Sequence, residues 1–373
     1  MRIAVLKETA AGESRVAASP ETVKKFIALG ASVAVQAGAG LGASIADADY
    51  AAAGAEVSKD PAKGADIVLG VQGPDVAALK GASKGAWIVA GLDPFGQRAR
   101  IDAYAKAGFE ALALEFMPRI TRAQSMDILS SQSNLSGYKA VIEAANAYGR
   151  AFPMMMTAAG TVSAAKCFVM GVGVAGLQAI ATARRLGAQV SATDVRSATK
   201  EQIMSLGAKP VFVENVAGIE GEGAGGYATE MSAEYQAAQA ELVSSHIAKQ
   251  DIVITTALIP GRAAPRLVSD LQLANMKAGS VVFDLAVAQG GNVEGSKADE
   301  VVVKHGVKII GWSNTPAHLA ADASALFSRN LYNFLSAFWD KDAGRPVLDD
   351  EIGNAVRLTQ GGKVVNERLL GAQ

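Results

Sequence analysis

The feature that most constrains this chain is the run Cys167-Phe-Val-Met-Gly171-Val-Gly173-Val-Ala-Gly176, an apolar stretch of strand length that passes directly into Gly-x-Gly-x-x-Gly. The first glycine permits a tight turn, the second lets the main chain approach a bulky anion, and the third lets the following helix, expected over about residues 177–186, pack closely on its strand. An anion at that helix start meets free N–H groups and the positive end of the helix dipole. A pyrophosphate fits that description, so the motif reads as a dinucleotide site. A second apolar run, 189–193, ends in Asp194, eighteen residues past Gly176 (194 − 176), which is where a ribose-binding acid belongs. A carboxylate there accepts from both ribose hydroxyls and repels a 2′-phosphate, so the expected dinucleotide is NAD(H) rather than NADP(H). Arg196 leaves alternatives open: serving a 2′-phosphate, packing near the adenine ribose, or a surface ion pair.

The chain has 373 residues, half of them hydrophobic, and 39 glycines, which is enough for two domains of alternating strand and helix. A net charge of −1 with interspersed signs supplies no basic field for nucleic acid and no polybasic membrane patch. The single cysteine, Cys167, lies inside the apolar strand, where it reads as a core thiol in a reducing compartment. The opening residues turn charged too soon for a signal peptide, and no apolar run is long enough to span a bilayer.

Apolar runs at 3–6, 32–36, 67–71 and 87–90, with a helix over 19–29, give the βα rhythm of a parallel sheet. Ser19-Pro20-Glu21 reads as a helix cap, a first-turn proline and a first-turn acid, with Gly30 as the stop. Within 33–43 a second glycine cluster, Gly38-Ala-Gly40-Leu-Gly42-Ala43, imitates a nucleotide turn. It is read as structural, because no strand ending in an acid follows and Asp47 and Asp49 lie where phosphates would sit. A small-residue helix over 133–148 leads into strands expected at 167–170, 189–193, 252–255, 281–284 and 308–310. The glycine-rich, acidic stretch 217–227 reads either as a connector or as a lid closing with Tyr227. Leu326, Phe327, Leu331, Phe334, Leu335, Phe338 and Trp339 read as a helix returning to cover the first domain. The expected fold is α/β, with two Rossmann-like doubly wound parallel-sheet domains, 1–129 plus 320–373 and 130–319, and a cleft between them.

The other unusual stretch is polar: Glu115-Phe-Met-Pro-Arg119-Ile-Thr-Arg122-Ala-Gln124-Ser-Met-Asp127-Ile-Leu-Ser130. Arg119, Gln124, Asp127 and Ser130 supply donors, an amide and a carboxylate suited to a nicotinamide carboxamide and its ribose. The same residues also fit a capped helix start with a surface Arg–Asp pair. A dehydrogenase acting on an alcohol or amine moves a proton as well as a hydride, yet the chain has three histidines, none in a recognisable motif, and no cluster with metal-ligand spacing. Transfer between two nicotinamide rings needs only apposition. With one convincing dinucleotide site here, the second ring would come from another polypeptide.

The segments 117–134, 150–161, 171–183 and 255–261 closely resemble the NAD(H)-binding domain of proton-translocating transhydrogenase, and the likeness covers nearly the whole chain. It implies two Rossmann-like domains, a homodimer, and hydride exchange between NAD(H) on this chain and NADP(H) on a partner subunit. That exchange is coupled to proton movement through a membrane subunit. With no membrane helix, the chain resembles the split-gene alpha subunit, peripheral on the cytoplasmic face of the bacterial inner membrane through its partners. Carried over by motif, Arg119, Ile120, Thr121, Gln124, Asp127 and Ser130 resemble the nicotinamide-positioning loop. Gly171, Gly173, Val174, Gly176, Asp194, Val195, Arg196, Gly226, Gln239 and Leu258 match nucleotide contacts, and Tyr227 matches a mobile-loop tyrosine. Alanine dehydrogenase shares the fold and the pattern at Lys7, Glu8, Arg15, Val16 and Ala17. Its catalytic lysine and histidine, expected near 70–74 and 90–92, have no counterpart there. A non-catalytic NAD-binding module is the third reading.

Overall fold

The computed structural model describes residues 1–213, 232–259, 261–348 and 351–371. They divide into two units, 1–132 with 316–373, and 133–315. In chain order the first stretch contributes β1 (Arg2–Val5), α1 (Pro20–Ala28), β2 (Ser32–Gln36), α2 (Asp47–Ala52), β3 (Glu56–Ser58), β4 (Ile67–Gln72), β5 (Trp87–Gly91), α3 (Arg98–Ala107), β6 (Glu110–Ala113) and α4 (Ile128–Ala147). The next contributes the hairpin β7 (Met155–Thr157) and β8 (Gly160–Val162), then β9 (Lys166–Met170), α5 (Val174–Arg185), β10 (Gln189–Thr193), α6 (Thr199–Ser205), β11 (Lys209–Pro210), α7 (Ala233–Ile247), β12 (Ile252–Thr255), α8 (Asp270–Ala274), β13 (Val281–Asp284), β14 (Glu300–Lys304) and β15 (Val307–Gly311). The chain then returns to the first unit with α9 (Ala320–Ala337).

Each unit is built on one sheet. In the first unit the order is β3-β2-β1-β4-β5-β6, every pair parallel. In the second it is β11-β10-β9-β12-β13-β15-β14, parallel except for β14, which runs antiparallel to β15. The strand order reverses direction at β1/β4 and at β9/β12, the two places where doubly wound sheets bind ligands beyond their strand ends. The strands are apolar throughout because both faces are covered: Ile3 and Val5 join one core, Ala4 and Leu6 the other. Cys167 and Val169 likewise face away from Phe168 and Met170. Both units pin their first strand in the same way. The carboxylate of Asp66 accepts the Arg2 N–H and that of Asp251 accepts the Lys166 N–H, each at 2.8 Å.

Ser19 caps α1 in a reciprocal box with Thr22, Pro20 holds the first helical position, and Gly30 follows at φ +95°, as the sequence predicts. The sequence reading missed the short strands β3 and β6 and the antiparallel β14. It also placed Trp339 in the returning helix, whereas α9 ends at Ala337 with Phe338 as its cap, and Trp339 starts a two-residue strand paired with Pro346. The apolar stripe is otherwise as expected. Phe327, Leu331, Phe334 and Leu335 join the core of the first unit with Ile3, Val5 and Leu69, each burial contributing about 1.5–3 kcal/mol. No helix among the described residues is long and apolar enough to cross a membrane.

Candidate functional site

In the second unit β9 delivers the chain to Gly171 at φ +99°, and a Cβ there would lie 2.6 Å from Thr256 Oγ1. That hydroxyl donates to the Gly171 carbonyl at 2.9 Å, so the turn is braced from the end of β12. Helix α5 starts at Val174, three residues earlier than its sequence expectation, with Gly173 as its cap residue and no side-chain capping bond. Its first N–H groups are therefore left for a ligand or water. The glycines divide the labour. A Cβ on Gly173 would meet nothing within 4 Å, which marks open space in front of the helix, while a Cβ on Gly176 would fall 1.9 Å from the Gly171 carbonyl oxygen. From the other side α4 presses on the same turn, since a Cβ on Gly137 would lie 2.0 Å from the Ala175 carbonyl oxygen. Gly137 was not singled out from the sequence, because a lone glycine in a helix of small residues carries no local signal.

Asp194 is 7% exposed. Its Oδ2 accepts the Val172 N–H at 2.7 Å and its Oδ1 the Arg196 N–H at 2.9 Å. The Arg196 guanidinium adds Nε to Oδ1 at 2.9 Å and Nη2 to Oδ2 at 3.0 Å. Burial alone would push this carboxyl up, but the guanidinium and the two N–H groups outweigh it and hold the carboxyl below its ordinary range. The ion pair left open by the sequence is thus formed, half-buried rather than on the surface. A carboxylate has about four acceptor positions, and all four are filled by this chain. Two bonds come from backbone groups that cannot leave and two from a side chain that can.

Val174 and Leu258 are apolar yet 39% and 38% exposed. Val195 and Gln239 are half-buried, the latter on α7. Gly226, Tyr227 and the stretch 217–227 lie outside the described residues. Cys167 is fully buried and its thiol is pushed up to about 12 by burial, which leaves it inert as a nucleophile. The imitation turn near residue 40 is filled by the chain itself. The Gly38 N–H is bonded by Asp47 Oδ1 at 2.8 Å, and Cβ atoms on Gly40 and Gly42 would strike Ile45 and Ser14 main-chain oxygens at 2.7 and 2.5 Å.

In the first unit, Ala123, Met126 and Ile128 enter the core. The intervening turn is pinned by Asn330 and Asn333 of α9, whose amides donate to the Ser125 carbonyl at 2.8 and 3.1 Å. That leaves Arg119, Thr121, Arg122 and Gln124 exposed and Ile120 half-buried. Asp127 and Ser130 are brought together: Oδ1 accepts the Ser130 N–H at 3.0 Å and Oδ2 the Ser130 hydroxyl at 2.5 Å. Asp127 thus caps α4, so the capped-helix reading is correct without excluding the functional one.

A second polar cluster stands where β1 and β4 end. Glu13 holds the Arg15 guanidinium with two bonds, at 2.8 and 2.7 Å, and takes the Gln72 amide at 2.8 Å, while Arg15 also reaches Gln132 at 2.9 Å. Glu8 accepts the Val71 and Gln72 N–H groups at 2.6 and 3.3 Å. Burial raises Glu8 to about 7, with Glu13 adding to it, and burial likewise raises Glu115, beyond β6, to about 7. Both acids bind a proton more tightly folded than unfolded. Their contribution to stability is complete below about pH 4.5 and is lost as pH rises through 7. Between pH 5 and 8 the melting temperature should fall, each group accounting for on the order of 2–3 kcal/mol. In thermal melts across that range Glu8→Gln should flatten the fall by roughly half, and an unchanged slope would place the titration elsewhere.

Residues 4–136 match the family described as alanine dehydrogenase/PNT, N-terminal domain, and residues 140–367, more than half the chain, match alanine dehydrogenase/PNT, C-terminal domain. The chain belongs to the alanine dehydrogenase/PNT family. Within it, the chain is 52% identical to the first part of the split NAD(P) transhydrogenase subunit alpha of Rhodospirillum rubrum, covering 100% of this chain and 99% of that one. A solved structure of transhydrogenase from Sinorhizobium meliloti superposes with a TM-score of 0.90 at 54% identity, covering 98% of this chain and 100% of that one. Alanine dehydrogenase of Mycobacterium tuberculosis is more distant, 30% identical over 80% of this chain and 75% of its own. These family members are NAD-binding oxidoreductases, and the glycine turn above is the region of this chain built for that nucleotide.

Proposed function

We propose that this chain is the NAD(H)-handling subunit of a proton-translocating transhydrogenase, exchanging hydride with NADP(H) on a partner subunit while a membrane subunit couples the exchange to proton movement. The observation that carries the reading is the end-to-end match, at 52% identity, to a protein named as a portion of the alpha subunit of NAD(P) transhydrogenase. The site fits the nucleotide: the space a Cβ on Gly173 would enter is empty, and the α5 N–H groups facing it are uncapped. When bound, NAD(H) supplies a hydride donor or acceptor at its nicotinamide ring, with no proton to be moved by an acid or base.

The chain's own work is then to bind and orient. The α5 N-terminus and the Gly171–Gly173 main chain take the pyrophosphate. Asp194 takes the ribose hydroxyls, displacing only the Arg196 side chain, since its other two donors are fixed backbone groups. Arg119, Gln124, Asp127 and Ser130 are assigned to orient the nicotinamide, on the resemblance of their segment. The amino-acid dehydrogenase reading is weakened where β4 ends, because Gln72, bound to Glu13, is neither acid nor base. For the homodimer, the support is the β7–β8 hairpin, whose Met154, Met155 and Met156 are 63%, 43% and 81% exposed. A two-stranded hairpin is marginal alone in water and gains from a partner face, and sedimentation at twice the chain mass would show the pair.

The test is reduction of an NAD⁺ analogue by NADPH, with this chain alone and then with a purified NADP(H)-binding transhydrogenase component. Turnover only in the mixture supports the proposal, and silence despite tight NADH binding favours a binding module. Asp127→Asn refines it, because asparagine still accepts the Ser130 N–H and caps α4 about as well. The exchange of hydride should slow by at least about tenfold with NADH affinity nearly unchanged. Lost affinity with full turnover would move Asp127 out of the positioning role.

A further inference from the structure

Beyond β13 the chain passes through Gly290 and Gly291, at φ +94° and +78°, into Asn292, which is fully buried. Every polar atom of Asn292 is engaged. Its N–H donates to Asp284 Oδ1 at 3.2 Å, and its carbonyl accepts the Leu267 and Val268 N–H groups at 2.8 and 3.0 Å. Its side-chain Oδ1 accepts the Ala257 N–H at 3.1 Å, and Nδ2 donates to the Ala257 and Pro265 carbonyls at 2.9 and 2.8 Å. An amide that bonds both the N–H and the carbonyl of one residue holds that backbone as a neighbouring strand would. Asp284, equally buried, anchors the loop carrying Asn292, its carboxylate accepting the Ala286 and Val293 N–H groups at 3.0 and 3.2 Å and the Thr255 hydroxyl at 3.3 Å.

We infer that Asn292, set by Asp284, is a positioning residue for the nucleotide site: it locks Ala257, and with it Thr256 and Leu258, against the glycine turn. The link is direct, since Thr256 Oγ1 donates to the Gly171 carbonyl at 2.9 Å and a Cβ on Gly171 would collide with that same atom. Burying an amide with all its bonds made gives rigidity, whereas removing it leaves three buried backbone groups unpaired. The inference rests on reading the turn as the NAD(H) site.

The experiment titrates NADH onto the full chain by fluorescence at 15 °C and follows melting in parallel. Asn292→Ala should raise the NADH Kd by about tenfold in protein that is still folded at that temperature. Asn292→Asp keeps the acceptor for Ala257 N–H but sets a charge against two carbonyls, and should be no better. Asp251→Ala is the control, because it removes a buried hydrogen bond at Lys166, the opposite end of β9 from Gly171. It should lower the melting temperature while leaving Kd within about twofold. If Asn292→Ala also leaves Kd unchanged, or if Asp251→Ala raises it equally, the positioning role is overturned. If the natural chain binds no NADH, the reading of the glycine turn fails and takes this inference with it.

Discussion

Gly173→Ala is expected to lower the melting temperature by no more than about 3 °C and to weaken NADH binding at least tenfold, whereas Gly176→Ala is expected to damage the fold itself. The two glycines sit three residues apart in one motif, and the difference lies in what a methyl would meet. At Gly173 it meets nothing, so the apoprotein tolerates it, and the methyl occupies the space a pyrophosphate would take. At Gly176 it would stand 1.9 Å from the Gly171 carbonyl oxygen, a backbone atom with no rotamer to escape into. The turn would have to open, at about 3 kcal/mol or more. Thermal melts and NADH titrations of both variants decide the matter. Equal loss of melting temperature in both would make Gly173 a structural glycine and remove the cradle.

The second large effect is expected at Asp194. Asp194→Asn leaves Arg196 without its carboxylate and one backbone N–H facing an amide, with a stability loss of about 1–3 kcal/mol. Affinity should change more selectively than stability. NADH loses its ribose acceptor, while NADPH meets a freed guanidinium and no opposing negative charge. The ratio of NADH to NADPH affinity should therefore fall by about a hundredfold, or about 2.7 kcal/mol. Equilibrium titrations with both nucleotides give the ratio, and an unchanged value would remove Asp194 from the ribose site and leave it as the brace for Val172 and Arg196 that the structure already shows.

Much of this was legible because it is local. A run such as 166–170, apolar on alternate faces and followed by glycine, has few options besides a buried strand and a turn, and Ser19-Pro20-Glu21 announces its helix within one turn. The acid at 194 could be placed from spacing alone, since strand, turn and helix have fixed lengths. Short or edge elements were not legible. Glu56–Ser58 and Glu300–Lys304 carry too few apolar residues to reveal a strand until a neighbour pairs with them.

The sequence by itself determined the class of fold, the two parallel sheets and the dinucleotide turn, because hydrophobic period and glycine spacing act between neighbours in the chain. Only the tertiary structure decided which groups those elements bring together. It filled all four acceptor positions of Asp194, made Asp127 the cap of α4, closed the false turn at Gly40 with Ile45 and Tyr50, and threaded Asp284, Asn292, Ala257 and Thr256 into one brace behind Gly171. Each of these contacts depends on where the chain has folded, and a hydrogen bond between residues 35 or 85 apart leaves no periodic trace in the sequence.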